Sequence, residues 1–438
     1  MGVLIAAPRS GSGKTVLTLA ILRALAERGV EVAPAKAGPD YIDPAFHAVA
    51  TRRPSVNLDP WAMRPETLRA LASKPGRLVV EAAMGLFDGA ADGSGSAADL
   101  AAMLGLPVVL VLDASGASHS LAATLRGFAT HRADVAVSGV IVNRVASGRH
   151  ARMVRDGLAP VCDELGTAWL GTVPRDDRLA LPSRHLGLVP AAEHAGIEGF
   201  VATAARIVGE AVDLDTLLAL AASSPQPVES GAERPSARAP IPPLGQRIAV
   251  ARDVAFAFAY PHLLDAWHAA GASLHQFSPL ADEGPDEAAD AIFLPGGYPE
   301  LHAERLAAAG AFREGMTRAV GRGAWVHGEC GGYMALGEAL TDADGVAHPM
   351  LGLLPVRTSF AERRLHLGYR QVTCLAGTPL GPAGTRLRGH EFHHATILWE
   401  GSGDRPFEAQ DAEGTALGAV GLRRGRVLGS FMHLIDRV

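Results

Sequence analysis

Val3-Leu4-Ile5-Ala6-Ala7-Pro8-Arg9-Ser10-Gly11-Ser12-Gly13-Lys14-Thr15 runs from an apolar strand through a glycine- and serine-rich loop into a helical stretch, Val16–Glu27. A strand, loop and helix of this composition build a phosphate cradle, because the loop's backbone N–H groups and the helix N-terminus face the same point. Lys14 is placed to reach β and γ phosphate oxygens, and the Thr15 hydroxyl to ligate Mg²⁺. Gly11, Ser12, Gly13, Lys14 and Thr15 are therefore the expected ATP-binding residues. The strict Walker spacing wants glycine where Pro8 stands, so the loop is a deviant one. Lysine is scarce: only Lys14, Lys36 and Lys74 occur, against an abundance of arginine. The remaining lysines are expected where a compact ammonium is needed.

Working outward, strand-like runs recur at Leu78–Glu81, Val108–Asp113, Val140–Val142 and Ala168–Val173, with helical stretches such as Ser120–Ala133 between them. Alternation of this kind predicts a parallel sheet covered by helices on both faces. Residues 1–222 form the expected P-loop domain. The Pro-, Ser- and Ala-rich stretch 223–246 lacks apolar periodicity and reads as a linker. A second α/β unit, 247–438, begins at Arg247–Ala251 and continues through Ala291–Leu294, Ala324–His327 and a closing strand at Val427–Ser430.

Three further motifs belong to the first domain. Lys36-Ala37-Gly38-Pro39-Asp40-Tyr41-Ile42-Asp43-Pro44 carries two carboxylates on what reads as a rigid turn, with helix capping as the bland alternative. Near a P-loop, such acids ligate Mg²⁺ or position a nucleophile. Glu81 ends a strand, where ligands gather in open α/β sheets, and suits Mg²⁺. Asp88 follows on the loop Met84–Gly89. Asp113 competes with Glu81 for the metal, or caps a turn with Ser115. Asn143 ends another strand, where its amide could meet a nucleotide base. The expected metal set is Thr15, Asp43 and Glu81, with Asp43 also catalytic and Asp40 and Asp88 toward the acceptor.

In the second unit, Trp325-Val326-His327-Gly328-Glu329-Cys330-Gly331-Gly332 breaks a strand at a single thiol flanked by glycines. That is the cysteine form of a nucleophile elbow, in which the Gly331 N–H faces a forming oxyanion. Leu294-Pro295-Gly296-Gly297-Tyr298-Pro299-Glu300 offers a second N–H, on Gly297. Among seventeen histidines, His433 is the expected base, placed just after the final strand. His327 is expected to be buried in its strand. Arg388–His394 reads as a polar strand near the cleft rather than a zinc site, because His393 and His394 face opposite ways.

A formal net charge of −6 gives no reason to expect nucleic acid or an anionic membrane as partner. No apolar run approaches the roughly 20 residues of a spanning helix, and three scattered cysteines suit a reducing cytoplasm.

Taken together, these motifs, with Arg184–Leu188 and Gly389–His393, resemble the cobyrinic acid a,c-diamide synthases over nearly the whole chain. The resemblance implies a dethiobiotin-synthetase-like domain joined to a class I glutamine amidotransferase domain of flavodoxin-like α/β fold. It implies an ATP-, Mg²⁺- and glutamine-dependent ligase of cobalamin biosynthesis acting on cobyrinic or hydrogenobyrinic acid. Cys330 and His433 would release ammonia, and a phosphorylated acetate carboxylate would accept it, at c and a in turn. A cobyric acid synthase-like enzyme, a nickel-sirohydrochlorin amidase and, more remotely, a P-loop regulatory ATPase with an inactive amidotransferase domain stay open, as does a homodimer. The wider amidotransferase class has Glu two residues after its histidine. Here Ile435 stands there and Asp436 one further on, which leaves a Cys–His dyad as the expectation.

Overall fold

Short apolar runs, buried on both faces except at the edge strand β7, form the first layer: β1 (Gly2–Ala6), β2 (Val32–Ala37), β3 (Val56–Leu58), β4 (Arg77–Glu81), β5 (Val108–Asp113), β6 (Val137–Val145) and β7 (Ala168–Pro174). The computed structural model describes residues 1–181, 183–184, 187–188, 193–194, 196–223 and 239–438. Residues 224–238 of the expected linker, with His185 and Leu186 of the Arg184–Leu188 motif, lie outside them. The chain divides into two compact units, Met1–Trp61 with Pro65–Pro235, and Ala62–Arg64 with Ser236–Val438.

In the first unit the seven strands pair in parallel, in the order β3-β2-β4-β1-β5-β6-β7. Every residue of β1 is buried, as a strand covered by helices on both faces requires. Register sets the chemistry: Glu81 at the end of β4 lies beside Ile5 of β1 and Lys36 of β2. The loop after β1, the lysine of β2 and the acid of β4 therefore meet at one sheet edge, where strand order reverses and ligands gather. Helix α1 (Lys14–Glu27) starts at Gly13, held at φ 82°, and α2 (Ile42–Thr51) follows β2. Strands β2 and β3, absent from the sequence reading, fill the space between. A short antiparallel pair, β8 (Ser183–Arg184) and β9 (Gly187–Leu188), follows.

The second unit starts with β10 (Arg247–Ala251), β11 (Ser273–Phe277), β12 (Ala291–Leu294) and β13 (Trp325–Glu329). Further strands come next: β14 (Ala339–Thr341), β15 (Ala347–Pro349), β16 (Val356–Ser359), β17 (His366–Cys374), β18 (Arg386–His393), β19 (Thr396–Glu400), β20 (Phe407–Asp411) and β21 (Ala416–Val420). The chain then closes with β22 (Leu422–Arg424), β23 (Val427–Ser430) and β24 (Met432–Arg437). The main layer has the order β11-β10-β12-β13-β23-β22, parallel apart from its last strand. The expected flavodoxin-like arrangement is present, with strand order reversing at β10. A mixed sheet, β15-β14-β16-β19, in which β14 and β16 run parallel, and an antiparallel sheet, β21-β20-β17-β18-β24, are additional to it.

This second feature corrects one expectation. The chain does not finish at β23, and His433 does not follow the final strand but lies within β24, paired in register with His390 of β18. Among the described residues no helix is long and apolar enough to cross a membrane.

Candidate active sites

The phosphate cradle is built by two left-handed glycines, Gly11 at φ 80° and Gly13 at φ 82°. A side chain at Gly13 would be strained and would collide with the Asn143 amide. Asn143 Nδ2 donates to the Ser12 carbonyl at 3.0 Å, its oxygen accepts the Arg144 N–H at 2.9 Å, and the Ser12 hydroxyl donates to the Arg9 carbonyl at 3.0 Å. The Asn143 amide nitrogen thus holds the loop while its oxygen is taken by the next residue of β6, whereas the sequence suggested a base contact. A cleft of about 750 Å³ opens over the loop, lined by Gly11, Lys14, Thr15, Asn143, Arg144 and Arg175 among others, a size that suits a nucleotide.

Lys14 Nζ donates to the Met84 carbonyl at 3.1 Å. Met84 itself takes the left-handed conformation, φ 48°, which aims that carbonyl at the lysine. Burial pushes the Lys14 ammonium below its ordinary pKa, although Glu81 opposes the shift.

Beside it lies a buried charge cluster. Thr15 donates its hydroxyl to Glu81 Oε1 at 2.5 Å, and Lys36 Nζ bonds Asp43 Oδ2 at 2.5 Å and Glu81 Oε1 at 3.0 Å. His47, which the sequence reading missed, contacts Glu81 Oε2 at 2.8 Å and Ser55 at 3.2 Å. Its signal was the spacing of Asp43 and His47 on α2, since residues four apart share a helix face. Burial pushes the Glu81 carboxyl up, but Lys36 and His47 outweigh it and hold Glu81 ionised, below the usual range. Burial, then Asp40, pushes Asp43 well above the usual range. Lys36 stays protonated, because Asp43 and Glu81 overcome its own burial. Two carboxylates sharing one ammonium titrate as a linked pair rather than independently.

Asp43 does not sit on a turn, as expected; it lies in the first turn of α2. Asp40 caps that helix, accepting the Ile42 N–H at 2.7 Å and the Asp43 N–H at 3.3 Å. Pro44 is compatible because a first-turn N–H has no intrahelical partner to lose. Asp88 folds its own loop by accepting the Gly85 N–H at 2.8 Å. Asp113 accepts from Ser115 N–H at 2.9 Å and pairs with Arg144 at 2.6 Å.

In the second unit Cys330 stands at φ 46°, a geometry unusual for a side-chain-bearing residue. Its N–H donates to the Ser430 carbonyl at 2.8 Å, which ties the elbow to β23. Sγ lies 3.9 Å from the Phe392 carbonyl. Burial, then the charge of Glu300, pushes the thiol up, against a hydrogen bond from the Gly331 N–H. A Cβ at Gly331 would come within 2.9 Å of the Gly297 nitrogen, so the two expected oxyanion-hole amides adjoin. Gly296 adjoins both reactive groups: a Cβ there would strike the His433 ring and lie 3.4 Å from Cys330 Cβ.

His433 is almost wholly buried. Burial, then His390 and His393, hold it well below its ordinary pKa. Its Nδ1 lies 4.0 Å from Glu329 Oε2. The sequence reading missed Glu329, although it directly precedes the nucleophile. Its other oxygen accepts the Leu434 N–H at 3.2 Å and contacts His327 Nε2 at 3.1 Å. Asp436 is committed elsewhere, bonded by the Arg64 N–H at 3.0 Å and Nε at 3.1 Å. His327 is buried in β13 as expected. Donor atoms of His366, Glu391 and His393 lie within 4.8 Å of one another. They are engaged inside the protein, Glu391 by Arg370 at 2.9 Å and His393 by the Ala395 carbonyl at 3.0 Å.

Residues 3–189 match the CobQ/CobB/MinD/ParA nucleotide binding domain and residues 247–437 the CobB/CobQ-like glutamine amidotransferase domain. Such a pairing defines an ATP-using, glutamine-dependent, amide-forming ligase. The chain is 58% identical over 441 residues to a hydrogenobyrinate a,c-diamide synthase of Sinorhizobium sp, covering 99% of this chain and 98% of the relative. Synthases of the same name from Brucella abortus and Rhodobacter capsulatus are 56% and 52% identical, each over 99% of this chain and 98% of the relative. The chain belongs to the hydrogenobyrinate a,c-diamide synthase family.

Proposed function

We propose that this chain converts hydrogenobyrinic or cobyrinic acid to its a,c-diamide, using ATP and glutamine. The observation that carries the reading is the elbow: a buried thiol at φ 46° under the Gly331 amide, with Gly296 touching both its Cβ and the His433 ring. A thiol so placed takes the amide carbon of glutamine as a thioester while the adjoining Gly297 and Gly331 amides receive the oxyanion. His433 accepts the thiol proton and returns it to the departing ammonia, water then cleaves the thioester to glutamate and the free thiol, and Glu329 orients the ring.

An unactivated carboxylate is a poor acyl donor, so ammonia needs a phosphorylated acceptor. Lys14 and the amides of Gly11–Thr15 bind the ATP phosphates, Asn143 holds that loop, and the acetate carboxylate attacks the γ phosphorus while ADP leaves. Ammonia then attacks the acyl carbon as phosphate departs, Asp43 in its carboxylate form takes the proton that the nitrogen sheds, and Asp40 and Asp88 shape the loops toward the corrinoid. The donor set fits a hard cation, with the Thr15 hydroxyl and a Glu81 oxygen in contact. Thr15 and Glu81, with Asp43 behind them, would hold Mg²⁺, which when bound neutralises phosphate charge.

The working division is 1–222 for amide ligation, 223–246 as linker and 247–438 for glutamine hydrolysis. Its partners are the small molecules named, in the cytoplasm, with a homodimer as the assembly to test. Incubation with ATP, glutamine and either macrocycle, followed by mass spectrometry, tests the reading. A diamide from one of them supports it, and unchanged substrate in both overturns it.

A further inference from the structure

We propose that Glu300 receives the α-ammonium of glutamine beside Cys330 and sets the site's preference for an amino acid over a simple amide. The proposal rests on the glutaminase reading of the second unit and adds to it how the donor is recognised.

Glu300 lies in the short helical turn Pro299–His302, directly after the Gly296-Gly297 loop. Pro299 packs on the elbow, since a Cβ at Gly331 would lie 3.0 Å from its ring. Glu300 follows on the same turn, and among the charged groups its carboxylate acts most strongly on the Cys330 thiol. Glu300 is only 9% exposed, and its Oε2 has no hydrogen-bond partner among the described residues.

A buried carboxylate with an unused oxygen is costly in a folded protein. Burial pushes this one up to about 7, opposed by its own backbone N–H and by the exposed Arg363. Among the described residues no hydrogen-bond partner of that oxygen repays the cost, whereas a ligand ammonium would. Glutamine carries one, a short aliphatic chain away from the amide carbon that Cys330 attacks. Simple amides do not, and a site with a charge left unpaired rejects them.

A second consequence follows from the same placement. The Glu300 charge opposes formation of the thiolate, and an ammonium seated on it removes that opposition. Correct donor binding thus favours the nucleophilic form of Cys330, which restrains hydrolysis of wrong amides.

The test uses the full-length chain and two alkylating reagents. The chloroketone analogue of glutamine bears the α-ammonium and loses chloride as its carbon bonds to Sγ. Iodoacetamide makes the same kind of bond by losing iodide but lacks the ammonium. In Glu300→Gln, chloroketone inactivation is expected to slow by about tenfold or more, while iodoacetamide alkylation does not slow. The KM for glutamine is expected to rise about 10–100-fold, more than kcat falls, and Glu300→Asp recovers part of the loss. Equal chloroketone rates in wild type and Glu300→Gln overturn the proposal. Equal slowing by both reagents also overturns it, because Glu300 would then only support the elbow. If the chloroketone fails to label Cys330 in the wild type, the glutaminase reading itself falls.

Discussion

Gly296 leaves the His433 ring no room to accommodate a methyl group: a Cβ on that glycine would overlap Cε1 and stand 3.4 Å from Cys330 Cβ. The bare α-carbon is what lets the imidazole and the thiol share one pocket. Gly296→Ala is expected to cut glutamine hydrolysis by about 100-fold or more, because a displacement of the base by about 1 Å is enough to do so. Glutamate release, with the urea midpoint as a folding control, checks this; a near-normal rate would sink the assignment of His433 as base.

Cys330→Ala removes the only group proposed to take glutamine. Glutamine-dependent amidation is expected to vanish, and ammonium chloride to restore product at raised pH, where free ammonia is available. Persistence of the glutamine-dependent reaction would mean that nitrogen enters by another route.

The ionisation of the thiol–imidazole pair is open to titration. Burial and Glu300 push the thiol up, while burial, His390 and His393 push His433 down. Both shifts favour the neutral thiol and neutral imidazole near pH 7 over the ion pair. Iodoacetamide alkylation is therefore expected to climb with pH beyond the ordinary cysteine value of about 8.5. A plateau near neutrality would show a preformed thiolate.

Lys36→Met strands Glu81 and Asp43 in the interior. The expected loss is about 3–5 kcal/mol of stability at pH 7, read from urea denaturation. The sign with pH is fixed by the shifts. In the wild type Glu81 is held below its unfolded value, so its contribution is present above that value and lost as pH falls through the folded one. Without Lys36 Glu81 rises above its unfolded value, as Asp43 already does, and the cluster binds protons more readily when folded. The two stabilities should therefore converge as pH falls from 7 toward 4, with no such convergence if Lys36 is a mere filler.

Sequence patterns made the first unit legible where one residue type does one job. Lys14, Thr15, Glu81 and Lys36 fell together because parallel strands end at one edge, a rule that acts through register. Asp40 was harder to read: a carboxylate before a helix caps it whether or not a ligand is near, and the chain cannot display which task takes its lone pairs. Strands β2 and β3 escaped because Pro34 and the short Val56–Leu58 run weaken the apolar pattern. In the second unit the strands β14–β21 mix exposed and buried residues without clean alternation. That concealed β24, and with it the true setting of His433. Glu329 stayed hidden because its partner lies about a hundred residues away in sequence, a contact that only the pairing of β13 with β23 creates.

Lys14 serves the loop as well as its own helix. Its ammonium donates to the Met84 carbonyl and, with three N–H bonds in all, leaves two for another acceptor. Met84 holds a backbone conformation that disfavours a side chain and opens the loop that Asp88 folds. One side chain thus ties the start of α1 to the loop after β4, so a change in either is felt at the same nitrogen.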